Sequence, residues 1–187
     1  MSTQPKPRLT PEQYLEIERK AEFRSEFYDG EMFAMAGNNI EHATVVLNLG
    51  NVLGPALRGR CRVFQTEVRV RINSPGLYTY PDVIVVCGGI EYADAEFDTL
   101  TNPTIIMEVL SPSTESYDRG KKFEYYRKVA SLREYVLVSV DQPHVECFTR
   151  DGLKWILSEA DGLESALRLE SVDLTIPLGE VYLDLVF

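Results

Sequence analysis

Two acidic side chains lie in apolar runs, where folding alone does not call for a charge. Asp82 opens PDVIVV and Glu108 sits within IIMEVL, and both runs have the composition of buried β-strands. An unpaired buried carboxylate is costly or becomes neutral. Adjacent strands lie about 4.8 Å apart, so the two carboxylates could converge on one divalent cation that keeps them ionised. From the acids alone, however, a buried glutamate satisfied by an arginine or by backbone donors is favoured over a metal ligand.

The segment after the Glu108 strand supplies a candidate catalytic cation. A helix is expected over 115–130, with an apolar stripe at Phe123, Tyr126, Val129 and Ala130. At about 100° per residue, Lys122 projects towards this stripe and the sheet, whereas Lys121 points to water. Asp118 precedes Lys122 by one turn and supports it as an i,i+4 pair. The helix can return Lys122 to the C-terminal end of the strand, where open α/β sheets place their sites.

Several motifs resemble one family when taken together and in order. These are PD at 81–82, EVLSPST at 108–114 and DRGKKFEYYR at 118–127, with SEFYDGEMFAMAG, a following His42, and SLREYVLV at 131–138. The set resembles the Uma-type restriction endonucleases of the PD-(D/E)xK superfamily, over about Leu9 to Val186. The resemblance implies a restriction-endonuclease-like α/β core that hydrolyses phosphodiester bonds of DNA with Mg²⁺ or Mn²⁺.

Carried onto this chain, the resemblance assigns a role to each residue of the motif. Asp82 and Glu108 become metal ligands, with the Val109 carbonyl as a third. Lys122 stabilises charge or positions the attacking water. One departure stands out, because the orthodox motif has lysine two residues after the acid and this chain has Leu110 there. The resemblance implies that the lysine has moved to Lys122, the residue that the helical spacing also selects.

Weaker candidates surround this set. Glu26 is an accessory acid if it faces the site, but cross-strand pairing with Glu31 on a solvent face is favoured. His42 opens a predicted helix, where contact with a phosphate or a metal-bound water and a packing and capping role remain equally open. Glu67 and Arg69 are not assigned to the site.

The remaining elements predict how these residues are positioned. Thr10-Pro11-Glu12-Gln13 forms a capping box for a helix over 11–20, and Asp29-Gly30 predicts a hairpin with a type I′ turn. A helix is expected over 39–58. The further expected elements are one strand over 61–72, a turn at 74–76, strands at PDVIVVCG, TIIMEVL, REYVLVSV, HVECFTR and LKWILSEA, an acidic loop over 89–103, and a short closing helix in IPLGEVYLDLVF. This pattern predicts one α/β domain over 1–187 with a flexible 1–8, in which helices flank a central mixed sheet.

Composition limits the classes of function. The net charge of −10 argues against broad nonspecific adhesion to nucleic acid, although arginines 58, 60, 62, 69 and 71 form either a local basic track or a solvated strand face. No apolar run suits a membrane span, and Cys61, Cys87 and Cys147 read as reduced thiols of a cytoplasmic protein. No nucleotide cofactor is indicated. The expected function is a metal-dependent endonuclease acting on DNA, with a noncatalytic DNA- or protein-binding module as the alternative and a homodimer through the tail VYLDLVF as a third option.

Overall fold

The computed structural model describes residues 8–35, 37, 39–72 and 76–187. In these residues the chain forms a six-stranded sheet, a five-stranded sheet and a two-stranded ribbon, with helices packed around them. Most of the predicted turn at 74–76 and residues 1–7 of the predicted flexible N-terminus lie outside the described residues.

The six-stranded sheet is the central mixed sheet that the sequence predicts. Its order is β11-β10-β9-β8-β6-β3, and only the β8–β9 pair among these neighbours is parallel. The strands are β3 (Cys61–Gln65), β6 (Val83–Cys87), β8 (Ile105–Val109), β9 (Glu134–Val138), β10 (His144–Asp151) and β11 (Lys154–Asp161). Strands β6, β8 and β9 are apolar throughout most of their length because both faces of this sheet are covered.

A five-stranded sheet carries the N-terminal hairpin. Its order is β2-β1-β5-β4-β7, with β1 (Ser25–Tyr28), β2 (Glu31–Ala34), β4 (Arg69–Ile72), β5 (Leu77–Thr79) and β7 (Thr99–Leu100). Tyr28 pairs with Glu31, so the loop has two residues, and both have positive φ: 48° at Asp29 and 84° at Gly30. These angles confirm the predicted type I′ hairpin.

Helices cover the two faces of the central sheet. The helices are α1 (Pro11–Glu18), α2 (Ile40–Leu57), α3 (Glu115–Tyr117), α4 (Phe123–Tyr126) and α5 (Leu178–Val181). A π-helical turn, Asp118–Lys122, joins α3 to α4. The capping box predicted for α1 is present. None of the helices in the described ranges is long and apolar enough to span a membrane.

Alternation along the strands decides which face carries the candidate acids. Val83 and Val85 pack in one core cluster with Leu49 of α2, whereas Ile84 packs in a second cluster with Tyr126 of α4. Asp82 and Glu108 share the parity of Ile84 and its neighbour Ile106. Their carboxylates therefore point to the α4 side of the sheet.

Three element predictions were wrong in extent, and one element was missed. The segment 61–72 is two strands in different sheets, because Thr66 adopts a φ of 37° and its N–H donates to the Asp82 carbonyl (3.0 Å), which turns the chain. The acidic loop contains β7, and the helix after Glu108 ends at Tyr126, which leaves Ala130 exposed. A ribbon of β12 (Ala166–Leu169) and β13 (Leu174–Pro177) was not predicted.

The prediction of three reduced cysteines was also wrong. Cys61 and Cys87 are cross-strand neighbours of β3 and β6, with Cα atoms 4.1 Å apart, and they form a disulfide. That register could not be read from the sequence, because it depends on which strands become neighbours. Cys147 is free and buried.

Candidate active site

The pairing of β6 with β8 brings the two predicted acids together. Val83 pairs with Met107 and Ile84 with Ile106 in an antiparallel register. One further step along the same register places Asp82 opposite Glu108. Both side chains are buried. Two apolar strands therefore hold two carboxylates side by side at one end of the sheet.

Asp82 is held by hydrogen bonds through one oxygen. Its Oδ2 accepts the Val109 N–H at 2.8 Å and lies 3.2 Å from His42 Nε2. His42 is buried in the first turn of α2, and its Nδ1 makes no hydrogen bond among the described residues. The histidine thus contacts the site, whereas the helix is capped by Asn39, whose side chain accepts the His42 backbone N–H at 2.9 Å. Because both contacts use Oδ2, the geometry leaves Oδ1 of Asp82 for another partner.

Lys122 lies among three carboxylates. Its Nζ is 3.1 Å from Glu108 Oε1, 3.2 Å from Asp118 Oδ1 and 3.4 Å from Glu26 Oε1. Lys122 is buried, whereas Lys121 is exposed and pairs with Glu124 at 3.2 Å. Burial alone lowers the pKa of Lys122, but the surrounding carboxylates outweigh it and raise that pKa well above the usual value. The ammonium therefore stays charged.

Glu26 reaches the site from the other sheet. Its cross-strand partner in the hairpin is Phe33, whereas Glu31 pairs with Tyr28 and is exposed. The favoured interpretation of Glu26 and Glu31 as paired acids on a solvent face was therefore wrong. The Glu26 carboxylate also accepts a hydrogen bond from Thr79 of β5. The hairpin thus adds a third acid beside Glu108 and Asp118.

The pKa of Glu108 is raised by burial and by the charges around it. Burial raises its pKa to about 8, with Lys122 acting against this effect and the charges of Asp118 and Asp82 adding to it. Tyr126 Oη donates to Glu108 Oε1 at 2.7 Å, which favours the ionised form. When all four acids are ionised they face one ammonium and one imidazole, and a divalent cation would neutralise the excess of negative charge.

A cavity of about 220 Å³ opens onto this cluster. Asp82, Glu108, Glu26, His42 and Lys122 all line it, together with Tyr80, Tyr117 and residues of the segment after β8. Several polar groups therefore converge on one concave surface, as binding sites typically require.

The donor set fits a hard divalent cation. Carboxylate oxygens are the ligands that Mg²⁺ and Mn²⁺ prefer. Asp118 Oδ1 is buried and accepts no hydrogen bond among the described residues, although Lys122 Nζ is 3.2 Å away. Of Val109, the described contact is the N–H to Asp82, so its carbonyl as a ligand stays a prediction.

Other predicted residues lie elsewhere. Glu67 pairs with Arg24 at 3.0 Å on the surface. Arg69 is buried against Tyr80, Thr99 and Asp98. The five arginines do not form one track, because Arg62 is exposed on the six-stranded sheet whereas Arg69 and Arg71 belong to the other.

Three residues of the site were missed by sequence reasoning. Thr79 and Tyr80 directly precede the PD pair in YTYPD, and this closeness to Asp82 in the sequence indicates that they lie near the site. Tyr126 lies four residues after Lys122 and therefore on the same side of the helix, but it was assigned to the core. Its hydroxyl contacts Glu108 while its ring packs in the core.

A second group of metal-type donors was not expected. His144, Glu146 and Glu159 lie together on the β10–β11 hairpin, with His144 Nε2 3.5 Å from Glu146 and 3.8 Å from Glu159. Glu146 is already paired with Arg119. None of the three lines the cavity that contains Asp82 and Glu108.

Comparison with known proteins places the chain among close relatives. A family model described as "Uma2: Putative restriction endonuclease" matches residues 11–179. Two similar proteins come from Synechocystis sp.: "Uncharacterized protein slr1290" is 32% identical over 98% of this chain and 96% of its own length. "Uncharacterized protein sll1609" is 34% identical over 82% of this chain and 88% of its own length.

A solved structure shares the fold. The crystal structure of "a putative nuclease belonging to DUF820" from Anabaena variabilis superposes with a TM-score of 0.76 at 16% sequence identity. The match covers 93% of this chain and 97% of that one. The two proteins thus share their α/β architecture over nearly their whole length.

Proposed function

The chain belongs to the Uma2 restriction endonuclease family, and we propose that it is a metal-dependent endonuclease that hydrolyses phosphodiester bonds of DNA. The observation that carries this proposal is the convergence of Asp82, Glu108, Glu26 and Lys122 on one cavity, with the Lys122 ammonium beside Glu108 and Glu26. Hydrolysis of a phosphate diester builds negative charge on the phosphate oxygens, which a divalent cation and a fixed ammonium both stabilise.

Asp82 and Glu108 are the proposed ligands of Mg²⁺ or Mn²⁺, with Glu26 and Asp118 as accessory acids and the Val109 carbonyl as a further donor. When bound, the ion would neutralise charge on the nonbridging and leaving oxygens and lower the pKa of its bound water. The chain's own contribution is to orient the carboxylates. The Val109 N–H and His42 hold Asp82 Oδ2, and Tyr126 holds Glu108.

Lys122 is the proposed source of fixed positive charge beside the scissile phosphate. Because its carboxylate partners keep it protonated, it would stabilise charge that develops on the phosphate oxygens without gaining or losing a proton itself. Asp118 contacts the ammonium from one helical turn earlier and so fixes its direction.

The competing function is a noncatalytic DNA- or protein-binding module on the same fold. One observation favours it: Lys122 already pairs with three of the acids, so part of the negative charge is compensated without a metal. The net charge of −10 also disfavours nucleic acid as a nonspecific ligand.

The test is cleavage of plasmid DNA, linear DNA and RNA by purified protein with Mg²⁺ or Mn²⁺. We expect metal-dependent cleavage of DNA that Asp82→Ala abolishes. Glu31→Ala is the matched control, because Glu31 is an exposed acid in the same hairpin as Glu26. Equal cleavage by Asp82→Ala and wild type, with contaminating nuclease excluded, would refute the assignment.

A further inference from the structure

A second cavity adjoins the carboxylate cluster and has a different character. It has a volume of about 540 Å³, within the roughly 300–1,000 Å³ range of small-ligand pockets. Aromatic rings of both the hairpin and the helical segment line it, and the hydroxyls of Ser113 and Thr114 stand at its wall. The rings are those of Tyr28, Phe33, Tyr117 and Tyr125.

The two cavities share part of their lining. Glu26, Phe33, Ser113, Thr114 and Tyr117 border both. The Tyr117 ring, which borders both cavities, has its centroid 5.8 Å from Lys122 Nζ. A ligand that reaches the carboxylates and is longer than a phosphate group therefore extends along these shared walls.

The aromatic walls are held in place by the fold. Tyr28 and Tyr125 stack with ring centroids 5.1 Å apart and an interplanar angle of 29°. Burial raises the pKa of Tyr125 to about 12, so its ring remains neutral at ordinary pH. Phe33 is different, since about half of its surface (48%) is exposed and it lines both cavities. An open aromatic face next to a fixed pair is suited to a flat, uncharged ring.

We propose that this aromatic cavity binds an unpaired nucleobase of the strand whose phosphate lies at the carboxylate cluster. The inference rests on the proposed nuclease function and deepens it, because it specifies a single-stranded or locally opened substrate. The base is the flat, weakly polar part of a nucleotide and is joined to its phosphate by one sugar, which matches an aromatic cavity continuous with a phosphate site. A base inside a duplex must leave the stack before it can enter such a cavity.

Phe33 offers the cleanest test, because truncating an exposed side chain leaves the core intact. The measurement is fluorescence anisotropy of short labelled DNA strands with phosphorothioate linkages, so that binding in Mg²⁺ is read without cleavage. The strands are an intact single strand, the same strand with abasic positions throughout, and its duplex. An unlabelled RNA strand of the same sequence, used as competitor, distinguishes the two sources of the base.

We expect wild-type protein to bind the intact single strand more tightly than the abasic strand or the duplex. Phe33→Ala should weaken binding of the intact strand by roughly 5- to 150-fold, the contribution of stacking one base. Binding of the abasic strand should change by less than about twofold. Phe33→Tyr, which retains the ring, should bind as wild type does, and so should Phe23→Ala, which removes another exposed phenylalanine (79%) that lines neither cavity.

The base-binding proposal is overturned if Phe33→Ala binds the intact strand as wild type does. It is also overturned if wild type binds the abasic strand or the duplex as tightly as the intact strand, or binds no strand.

A parallel assay of unmodified strands separates the two proposals. Metal-dependent cleavage that is indifferent to Phe33 refutes the base pocket alone, whereas Phe33-dependent binding without cleavage refutes the nuclease alone. Should Phe33→Ala melt below wild type, Tyr28→Leu provides the second truncation of the same cavity.

Discussion

Lys122 is the residue whose surroundings most constrain the chemistry. Three carboxylates lie within 3.4 Å of its ammonium. Their negative charges repel one another unless a cation lies between them. The lysine supplies one positive charge to that cluster. A divalent ion at Asp82 and Glu108 would supply the remainder, so the lysine and the metal have complementary rather than alternative roles.

Replacing Lys122 should therefore lower the cleavage rate without weakening metal binding. We expect Lys122→Met to lower the cleavage rate by about 10²-fold or more, since a fixed charge near the reacting oxygens is lost. Mn²⁺ binding, measured by calorimetry, should be retained or become tighter because a competing cation has been removed. Lys20→Met is the control, since Lys20 is exposed, pairs with Glu16 at 3.0 Å and lines neither cavity, and it should change neither quantity. Loss of Mn²⁺ binding in Lys122→Met with unchanged folding would contradict these roles.

The Tyr126 hydroxyl should lower the pH at which Glu108 ionises and can bind a metal ion. The pKa of Glu108 is raised, to about 8, so metal binding should grow as pH rises through that value. The Tyr126 hydroxyl favours the ionised carboxylate, and Tyr126→Phe should raise the pKa of Glu108 further. The midpoint of Mn²⁺ binding against pH should then move to higher pH.

Tyr182→Phe controls for the loss of a buried tyrosine hydroxyl. Tyr182 donates to the His144 carbonyl at 2.8 Å and does not line the cavity of the cluster. Its removal should leave the midpoint unchanged. A midpoint that moves to lower pH in Tyr126→Phe would show that the hydroxyl does not stabilise the carboxylate.

Among the elements, the β1–β2 hairpin determines where the third acid, Glu26, lies. Its two-residue turn requires positive φ at both positions, and Gly30 packs against Arg8. A Cβ added to Gly30 would lie 2.6 Å from the Arg8 Cβ. Glu26 of β1 depends on this hairpin for its position beside Lys122.

Gly30→Ala should destabilise the protein by about 1–2 kcal/mol, or lower Tm by roughly 2–8 °C, because a left-handed backbone carries a side chain. Differential scanning calorimetry provides the measurement. Gly89→Ala is the control: its backbone is not left-handed, and an added Cβ would meet nothing within 4 Å. Equal Tm values for the two variants would mean that the turn does not need its glycine.

The elements also explain how much of the site could be predicted. Asp82 and Glu108 were found because a charge in an apolar strand is visible in sequence, and their pairing follows from a local register. Lys122 was selected by helical spacing, and the π-helical turn keeps it on the inner side. Glu26 was misjudged because its hairpin belongs to a second sheet, and no local pattern reveals how two sheets meet.

At the scale of the whole molecule, two covered sheet faces and one acidic cavity account for most of the sequence pattern. The apolar runs, the mixed sheet and the flanking helices were predictable because burial dictates composition. The split of 61–72 and the Cys61–Cys87 disulfide were not, since both depend on which strands become neighbours. The homodimer stays a prediction; Tyr182 is buried in the core, whereas Val186 and Phe187 of the tail are exposed.

The disulfide can be tested by counting thiols. Denatured, unreduced protein should show one reactive thiol, that of Cys147, and reduced protein should show three. In the native state Cys147 should react slowly, because burial raises the pKa of its thiol to about 12. Titration with a thiol reagent provides the count. Three reactive thiols before reduction would show that Cys61 and Cys87 do not form a disulfide. The predicted cytoplasmic location depends on this result, since disulfides are rare in that compartment.

The most direct test of the central claim is a crystal soaked in Mn²⁺ and measured at the manganese absorption edge. We expect an anomalous peak between the carboxylates of Asp82 and Glu108, bordered by Glu26 and Lys122. An Asp82→Asn crystal treated in the same way should lack that peak. No peak at the cluster, or a peak only at His144, Glu146 and Glu159, would contradict the assignment of Asp82 and Glu108 as the metal site.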